Sequence, residues 1–403
     1  MNSGDNAWVM ASSALVLLMT PGLAMFYGGM ARSKNVLSTM MHSFFLMGLA
    51  TVIWMLWGFS LSFGPDAAMG LIGGLKYLVL DGIGGALWPD TTIPSSTFVI
   101  FQCGFAVLTP ALISGAFAER MSFKAFIVFM ILWITLVYAP VCHWVWGPGG
   151  WLAKMGALDF AGGTVVHVNS GAAALACAIA LGERKGYGKL AMLPHNLPLT
   201  LAGAGLLWIG WFGFNAGSAL KANETASMAF LVTHIATAAA AISWVLAEWA
   251  ASRKPTTLGL ASGALAGLVA ITPAAGYVAP GPALIIGAVA GVLCYTAVVS
   301  KNVLGYDDSL DVFGIHAVGG AWGSIATGIF ASKAIGGTDG LLYGNAAQLW
   351  TQITAVAAIL VYSFVVSLLL VHALDLITEV RISEEDEQSG MDTSIHGEAG
   401  YNL

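Results

Sequence analysis

Charge is what this sequence has least of. Lys, Arg, Asp and Glu make up only 9% of its 403 residues while 58% are hydrophobic, against about a quarter charged in an ordinary soluble domain. So little charge excludes a soluble globular chain and leaves no basic footprint for nucleic acid. Common catalytic signatures are also missing: there is no Gly-x-x-x-x-Gly-Lys-[Ser/Thr], no His-Glu-x-x-His and no Cys-x-x-Cys. The four cysteines, Cys103, Cys142, Cys177 and Cys294, lie in or beside apolar runs without paired spacing and read as packing residues. We therefore expect no enzyme, no metal and no cofactor.

What is present in quantity is apolar length and glycine. A membrane-spanning helix needs about 20 mostly apolar residues. By that measure spans fall near 6–30, 36–63, 97–118, 123–147, 164–182, 196–217, 225–250, 257–277, 281–300, 311–332 and 350–376. The expected fold is an all-α polytopic membrane protein of eleven transmembrane helices. Many of the 50 glycines recur every fourth residue, as in Gly259, Gly263 and Gly267 or Gly319 and Gly323, a spacing that lets helices approach closely in lipid.

The first span has no basic leader before it, so the N-terminus is expected outside and the C-terminus in the cytoplasm. Alternating the loops then puts eleven of the fifteen Lys and Arg inside and four outside, in keeping with the positive-inside bias. The outer loop 64–96 reads as an irregular cap. Residues 1–376 form the transmembrane unit, and 377–403 a cytoplasmic tail with seven acidic residues against one Arg. Helices one to five (about 1–190) and six to ten (about 191–335) enter from opposite faces, which suggests a 5+5 inverted repeat followed by helix eleven (350–376).

Each repeat ends on a histidine followed by the same pattern, His-x-x-x-Gly-Ala, at His167 and at His316. Ionisable side chains at bilayer depth are costly and mark sites by default. Burial disfavours the charged imidazole, so the pair is expected neutral, offering donors and acceptors to a small polar neutral passenger. Counting from Asp159 and Asp311 puts the two histidines about 12 Å and 8 Å from opposite faces of a core about 30 Å thick. On that count they are adjacent or merely nearby. His42, His143, His234 and His372 read as packing or interhelical hydrogen-bonding residues, and His195 and His396 as solvated.

Asp159 is equally readable as a helix N-cap and as a carboxylate that steers a cation, while Asp311 reads as a cap. Phe101 and Phe105, Trp144 and Trp146, and Trp211, Phe212 and Phe214 gather towards the outer helix ends. For Trp144 and Trp211 an interfacial belt suffices. For the others a cation–π site is the sharper reading, with Ser218 supplying a polar contact.

The stretches Phe101-Gln-Cys-Gly-Phe105-Ala, Ala118-Glu-Arg120, Asp159-Phe-Ala-Gly-Gly-Thr-Val-Val-His167, Trp211-Phe-Gly-Phe214-Asn-Ala-Gly-Ser218, Thr272-Pro-Ala-Ala-Gly276 and His316-Ala-Val-Gly-Gly resemble the Amt/Mep/Rh ammonium transporter family, of the bacterial or archaeal Amt type. The resemblance runs through all eleven spans and into the tail. It implies a homotrimer in the plasma (inner) membrane with one pore per subunit, serving nitrogen uptake. It assigns ammonium recruitment to Phe105, Trp146 and Ser218, a phenyl gate to Phe105 and Phe214, the pore to His167 and His316, and a required acidic role to Asp159. Ammonium would lose its proton near the gate and cross as ammonia, and for bacterial members electrogenic transport is favoured. The acidic tail and inner loops resemble those presented to PII signal proteins. Two other readings compete: an ammonium sensor, against which no signalling domain follows helix eleven, and a bis-histidine haem redox protein.

Overall fold

The computed structural model describes residues 1–401, and among them the chain is helical, with isolated β-bridges in place of strands. In chain order the principal helices begin with α1 (Ser3–Met30), α2 (Ser33–Phe63), α3 (Ser95–Phe117), α4 (123–146) and α5 (Gly163–Leu181). They continue with α6 (Leu197–Gly217), α7 (Glu224–Ser252), α8 (Thr257–Ile271), α9 (Pro280–Leu304), α10 (313–330) and α11 (Ala346–Asp375). Nine of these are long and apolar enough to cross a membrane, the two others being α8 and α10. Where 257–277 reads as one span, the helix stops at Ile271, because Pro273 has no N–H to continue it and Thr272–Gly276 turn instead.

Polar side chains start many of the helices, as a lipid-spanning backbone requires. Asn2, Ser122, Asn196, Asn223 and Thr256 accept free N–H groups at the starts of α1, α4, α6, α7 and α8. Packing follows the small residues: α1 lies along α6, and α7 lies against α8 and α9. A Cβ on Gly263 or Gly267 of α8 would come within 2.9 or 2.6 Å of a carbonyl oxygen of α7. Four π-helical turns, at Trp54–Gly58, Ile134–Tyr138, Gly163–Val168 and Phe313–Ala317, interrupt the α-helical spacing, and the last two carry His167 and His316.

Over one end of the bundle lies the loop 64–94, which holds Trp144 by a hydrogen bond from its indole to the Leu71 carbonyl (2.8 Å). Trp144 is thus buried beneath the loop rather than placed in an interfacial belt. The cysteines are free and buried. His42 is enclosed by Phe117, Phe123 and Phe126, and His143 bonds the Ser62 carbonyl at 2.9 Å. His234, though exposed, packs against the Trp208 ring of α6 at 5.5 Å, while His372 departs from the packing reading, being exposed on the surface of α11.

A buried ion network closes the opposite end. Arg184 grips Asp307 with two contacts of 2.8 Å and reaches Glu119 at 3.4 Å, while Arg32 meets Glu119 at 2.6 Å. Burial raises the acids' affinity for a proton, but the facing guanidinium groups outweigh it and hold Glu119 and Asp307 below the usual carboxylate range. Asp308 behaves oppositely: burial pushes it up to about 6, against the opposing pull of Lys301. It is Asp308, accepting from the Phe313 N–H at 2.7 Å, that caps α10. Asp311, which reads as the cap, is ion-paired to Lys301, and its φ of +64° turns it away from the helix start.

The tail folds back onto this end through two short helices, Glu384–Ser389 and Met391–Ser394. Asp392 accepts the Leu37 and Ser38 N–H groups at the start of α2 (2.9 and 2.8 Å). Buried Glu387 accepts the Lys185 N–H (2.6 Å) and pairs with Arg381 (2.8 Å). His195 is not simply solvated: it spans the Ala31 carbonyl (2.8 Å) and the Tyr401 hydroxyl (2.9 Å). His396 rests against the Phe123 ring.

These carboxylates predict two opposite pH effects on thermal unfolding in detergent. Asp308 has a folded value above its unfolded one, so between about pH 7 and 4 acid should stabilise the protein by on the order of 1–3 kcal/mol. Asp308→Asn should remove that rise. Glu119 and Asp307 contribute stability above the unfolded carboxylate range and lose it as pH falls through their depressed folded values. Glu119→Gln, which takes the counter-charge from Arg32 and leaves Arg184 only Asp307, should cost about 3 kcal/mol at neutral pH.

Candidate functional site: a histidine pair beneath an aromatic pocket

The two π-helical turns bring the histidines into contact. Nδ1 of His316 lies 3.2 Å from Nδ1 of His167, with ring centroids 5.3 Å apart and planes 18° from parallel, and both side chains are buried. Helix counting left a gap between them; the structure closes it. One Nδ1–H donates to the other Nδ1, so the outward nitrogens have opposite polarity, one donor and one acceptor. Among the described residues, Nε2 of His167 is buried without a partner. A nitrogen–nitrogen distance of 3.2 Å is that of a hydrogen bond, whereas trans axial ligands of a haem iron stand about 4 Å apart with the iron midway between them, so the haem reading has no support in this geometry.

The repeated His-x-x-x-Gly explains how two imidazoles can meet. Gly171, four residues after His167, faces Ala317, where an added Cβ would lie 2.7 Å from the Ala317 Cβ and 2.8 Å from its Cα. Gly320, four residues after His316, faces His167 in return, and its Cβ would fall 2.6 Å from the Gly163 oxygen and 2.9 Å from the His167 Cβ. Gly320 thus makes room for His167, and Gly171 admits the Ala317 backbone beside His316.

Asp159 sets the start of α5. Its carboxylate accepts from the N–H groups of Gly162 (2.9 Å), Gly163 (2.6 Å), Thr164 (2.8 Å) and Val165 (3.1 Å) and from the Thr164 hydroxyl. The capping reading therefore describes its contacts, and the positive end of the helix stabilises its charge. Asp159 also borders the pocket over Phe105 while staying 7% exposed. Behind it, Gln352 of α11 holds Leu158, accepting its N–H and donating to its carbonyl, both at 2.7 Å. Sequence reading missed this support; its signal was the pair of amides, Gln348 and Gln352, four residues apart in an otherwise apolar helix.

From the pocket to the histidines the rings form a file. Trp146 meets Phe105 at 5.7 Å, Phe105 meets Phe214 at 4.5 Å, and Phe214 meets His167 at 6.0 Å. Trp146 is fixed by a hydrogen bond from its indole to the Asp159 carbonyl (2.9 Å). Trp211 is buried against His167, nearly parallel at 5.3 Å, and donates to the Thr272 hydroxyl at 2.8 Å, so it belongs to this file rather than to an interfacial belt. Ser218 donates to the Phe214 carbonyl (2.8 Å), which leaves its oxygen lone pairs to accept. The pocket over Phe105, about 410 Å³, is bordered by Trp146, Ser218, Asp159, Phe160 and Gln102. An aromatic cavity with a few oxygen acceptors and a buried carboxylate can hold a small cation that donates hydrogen bonds. At the other end a 300 Å³ cavity is lined by Arg184, Tyr187, Lys301 and Asp311.

The Ammonium Transporter Family matches residues 7–401 of the chain. The chain is 52% identical to an ammonium transporter of Bacillus subtilis, covering 100% of this chain and 99% of the relative. It is 49% identical to an ammonium transporter of Aquifex aeolicus, over 100% and 94% of the two chains. Among solved structures, Mep2 of Candida albicans superposes with a TM-score of 0.91 at 37% identity, covering 96% of this chain and 88% of that one.

If the glycines set the approach of α5 and α10, Gly320→Ala and Gly171→Ala should each cost about 1–3 kcal/mol through overpacking. Gly48, whose added Cβ would meet nothing within 4 Å, is the control: Gly48→Ala should be neutral or slightly stabilising. Melting temperatures in detergent check the contrast, and equal effects at all three positions would refute it.

Proposed function

The chain belongs to the ammonium transporter family, a multi-pass membrane protein and not an enzyme, and from that premise we propose how this molecule moves ammonium. The observation that carries the proposal is the direct imidazole contact beneath a closed file of aromatic rings. Ammonium enters the outer pocket and rests against Phe105, Trp146 and the Ser218 oxygen. The faces of the rings favour the cation without a buried counter-charge, and the Asp159 carboxylate beneath steadies it from a distance.

Phe105 and Phe214 act as the gate. An ion would cross the apolar segment beyond them at a cost of several kcal/mol, so ammonium gives up its proton there and ammonia passes along His167 and His316. Neutral ammonia has three donors and one lone pair, and the outward nitrogens of the pair supply one acceptor and one donor. Potassium has no proton to lose and is left behind. The proton follows separately, making transport electrogenic.

Eleven spans support this path, arranged as two inverted repeats of five (about 1–190 and 191–335) and a final helix. The contact of α1 with α6, and of the starts of α5 and α10, is the pattern two related halves would make about an axis in the membrane plane. The N-terminus lies outside and the tail (377–403) in the cytoplasm, since Arg32, Arg120, Arg184, Lys185 and Arg381 gather at the tail's end of the bundle. The protein works as a homotrimer in the plasma membrane, and its tail and inner loops form the surface offered to a PII signal protein.

Currents on reconstituted liposomes test the reading. A jump in ammonium or methylammonium should evoke a current that potassium does not. Asp159→Ala should reduce it by more than about tenfold, the scale of removing a fixed charge beside a cation path. Replacing His167 and His316 with acidic residues should alter selectivity while the protein stays folded. A full-size response in Asp159→Ala would remove that carboxylate from the mechanism.

A further inference from the structure

The outer pocket is bordered by an amide side chain whose buried oxygen the described residues leave unpartnered. Gln102 lies on α3 one turn before Phe105, borders the pocket and is 9% exposed. Its Oε1 is buried without a partner. The other buried amide side chains among the described residues each make at least one hydrogen bond, although Asn35 Nδ2, Asn169 Oδ1 and Asn215 Oδ1 are also unpartnered: Asn35 accepts the Met391 N–H, Asn169 donates to the Val165 carbonyl, Asn215 donates to Thr233, and Gln348 and Gln352 hold the segment before Asp159. An amide removed from water without a partner is costly, and an apolar residue of the same size would serve better if the site only needed filling.

We infer that Gln102 is a specificity-determining residue that turns its amide oxygen to the incoming ammonium ion, as a second acceptor beside Ser218. This deepens the transport reading and rests on it. Ammonium carries four N–H donors arranged tetrahedrally. The pocket then offers two oxygens, Ser218 and Gln102, and two ring faces, Phe105 and Trp146. Every donor has a partner, so the ion sheds water without leaving an N–H unsatisfied. Methylammonium has one donor fewer and wastes one of the four positions. A spherical cation of similar size gains only the ion–dipole attraction of two oxygens, too few to replace the water it must shed. The free amide can rotate about its last side-chain bond, because no hydrogen bond within the described residues fixes either end.

The full-length protein in liposomes, with currents recorded over a range of ammonium and methylammonium concentrations, decides this. Gln102→Leu keeps the volume and removes the acceptor. It should raise the half-saturating ammonium concentration about tenfold, the effect of losing one hydrogen bond to a charged partner, with maximal current within about twofold. The preference for ammonium over methylammonium should shrink in parallel. Gln102→Glu should lower the half-saturating concentration. Unchanged half-saturation in Gln102→Leu, or collapse of maximal current in both variants with intact protein, would overturn the inference. If Gln102→Leu does not fold, an unchanged half-saturation in Gln102→Glu would overturn it equally. Silence of the wild-type protein to ammonium would instead defeat the transport reading itself, which keeps the two failures apart.

Discussion

A hydrogen bond between two imidazoles, held where the surroundings are apolar, is the contact on which the rest of this fold turns. Two helices must come close enough for His167 and His316 to touch, yet each must still satisfy its own backbone, because lipid offers no water to do so. The π-helical turns at Gly163–Val168 and Phe313–Ala317 carry the two side chains that meet. Asp159 takes up the N–H groups freed at the first of these starts, and Asp308 serves the second. Capping and site are thus the same structure seen at two scales.

The two ends of the bundle are secured by different physics. On the pocket side, indole N–H groups from Trp144 and Trp146 tie loops to helix ends, contacts that leave the charge at the pocket mouth to Asp159. On the tail side, guanidinium and carboxylate groups are buried against one another, and the tail adds its own acidic groups to α2 and to the loop at Lys185. Buried pairs of this kind contribute little net stability but penalise any arrangement that separates them. They fix the geometry at the start of α10 that sets the position of His316.

Much of this was legible in the sequence. Apolar length gave the helices, and the repeated His-x-x-x-Gly picked out both histidines and the glycines at which their helices approach. Three features were not legible. Helix counting measures depth from assumed helix starts, and the first of these helices begins at Gly163 rather than at Asp159, so a count along the chain could not place the two imidazoles in contact. Trp211 looked interfacial because its neighbours in sequence are at a helix end, whereas its ring stacks on His167 across from another helix. The tail's composition suited a solvated segment, and only the tertiary contacts of Glu387, Asp392 and Tyr401 reveal it as docked.

The reciprocal glycines also constrain which genetic changes can repair one another. A cavity or clash between two side chains is open to correction by a second change on the facing helix. At Gly171 and Gly320 most of what an added methyl would strike is main chain: the Ala317 N and Cα in one case, the Gly163 oxygen and Val168 N in the other. Main-chain atoms are common to every residue type, so no substitution opposite either glycine can make room for it. Suppressors of a lesion at these positions must therefore arise elsewhere, by shifting a whole helix, or not at all.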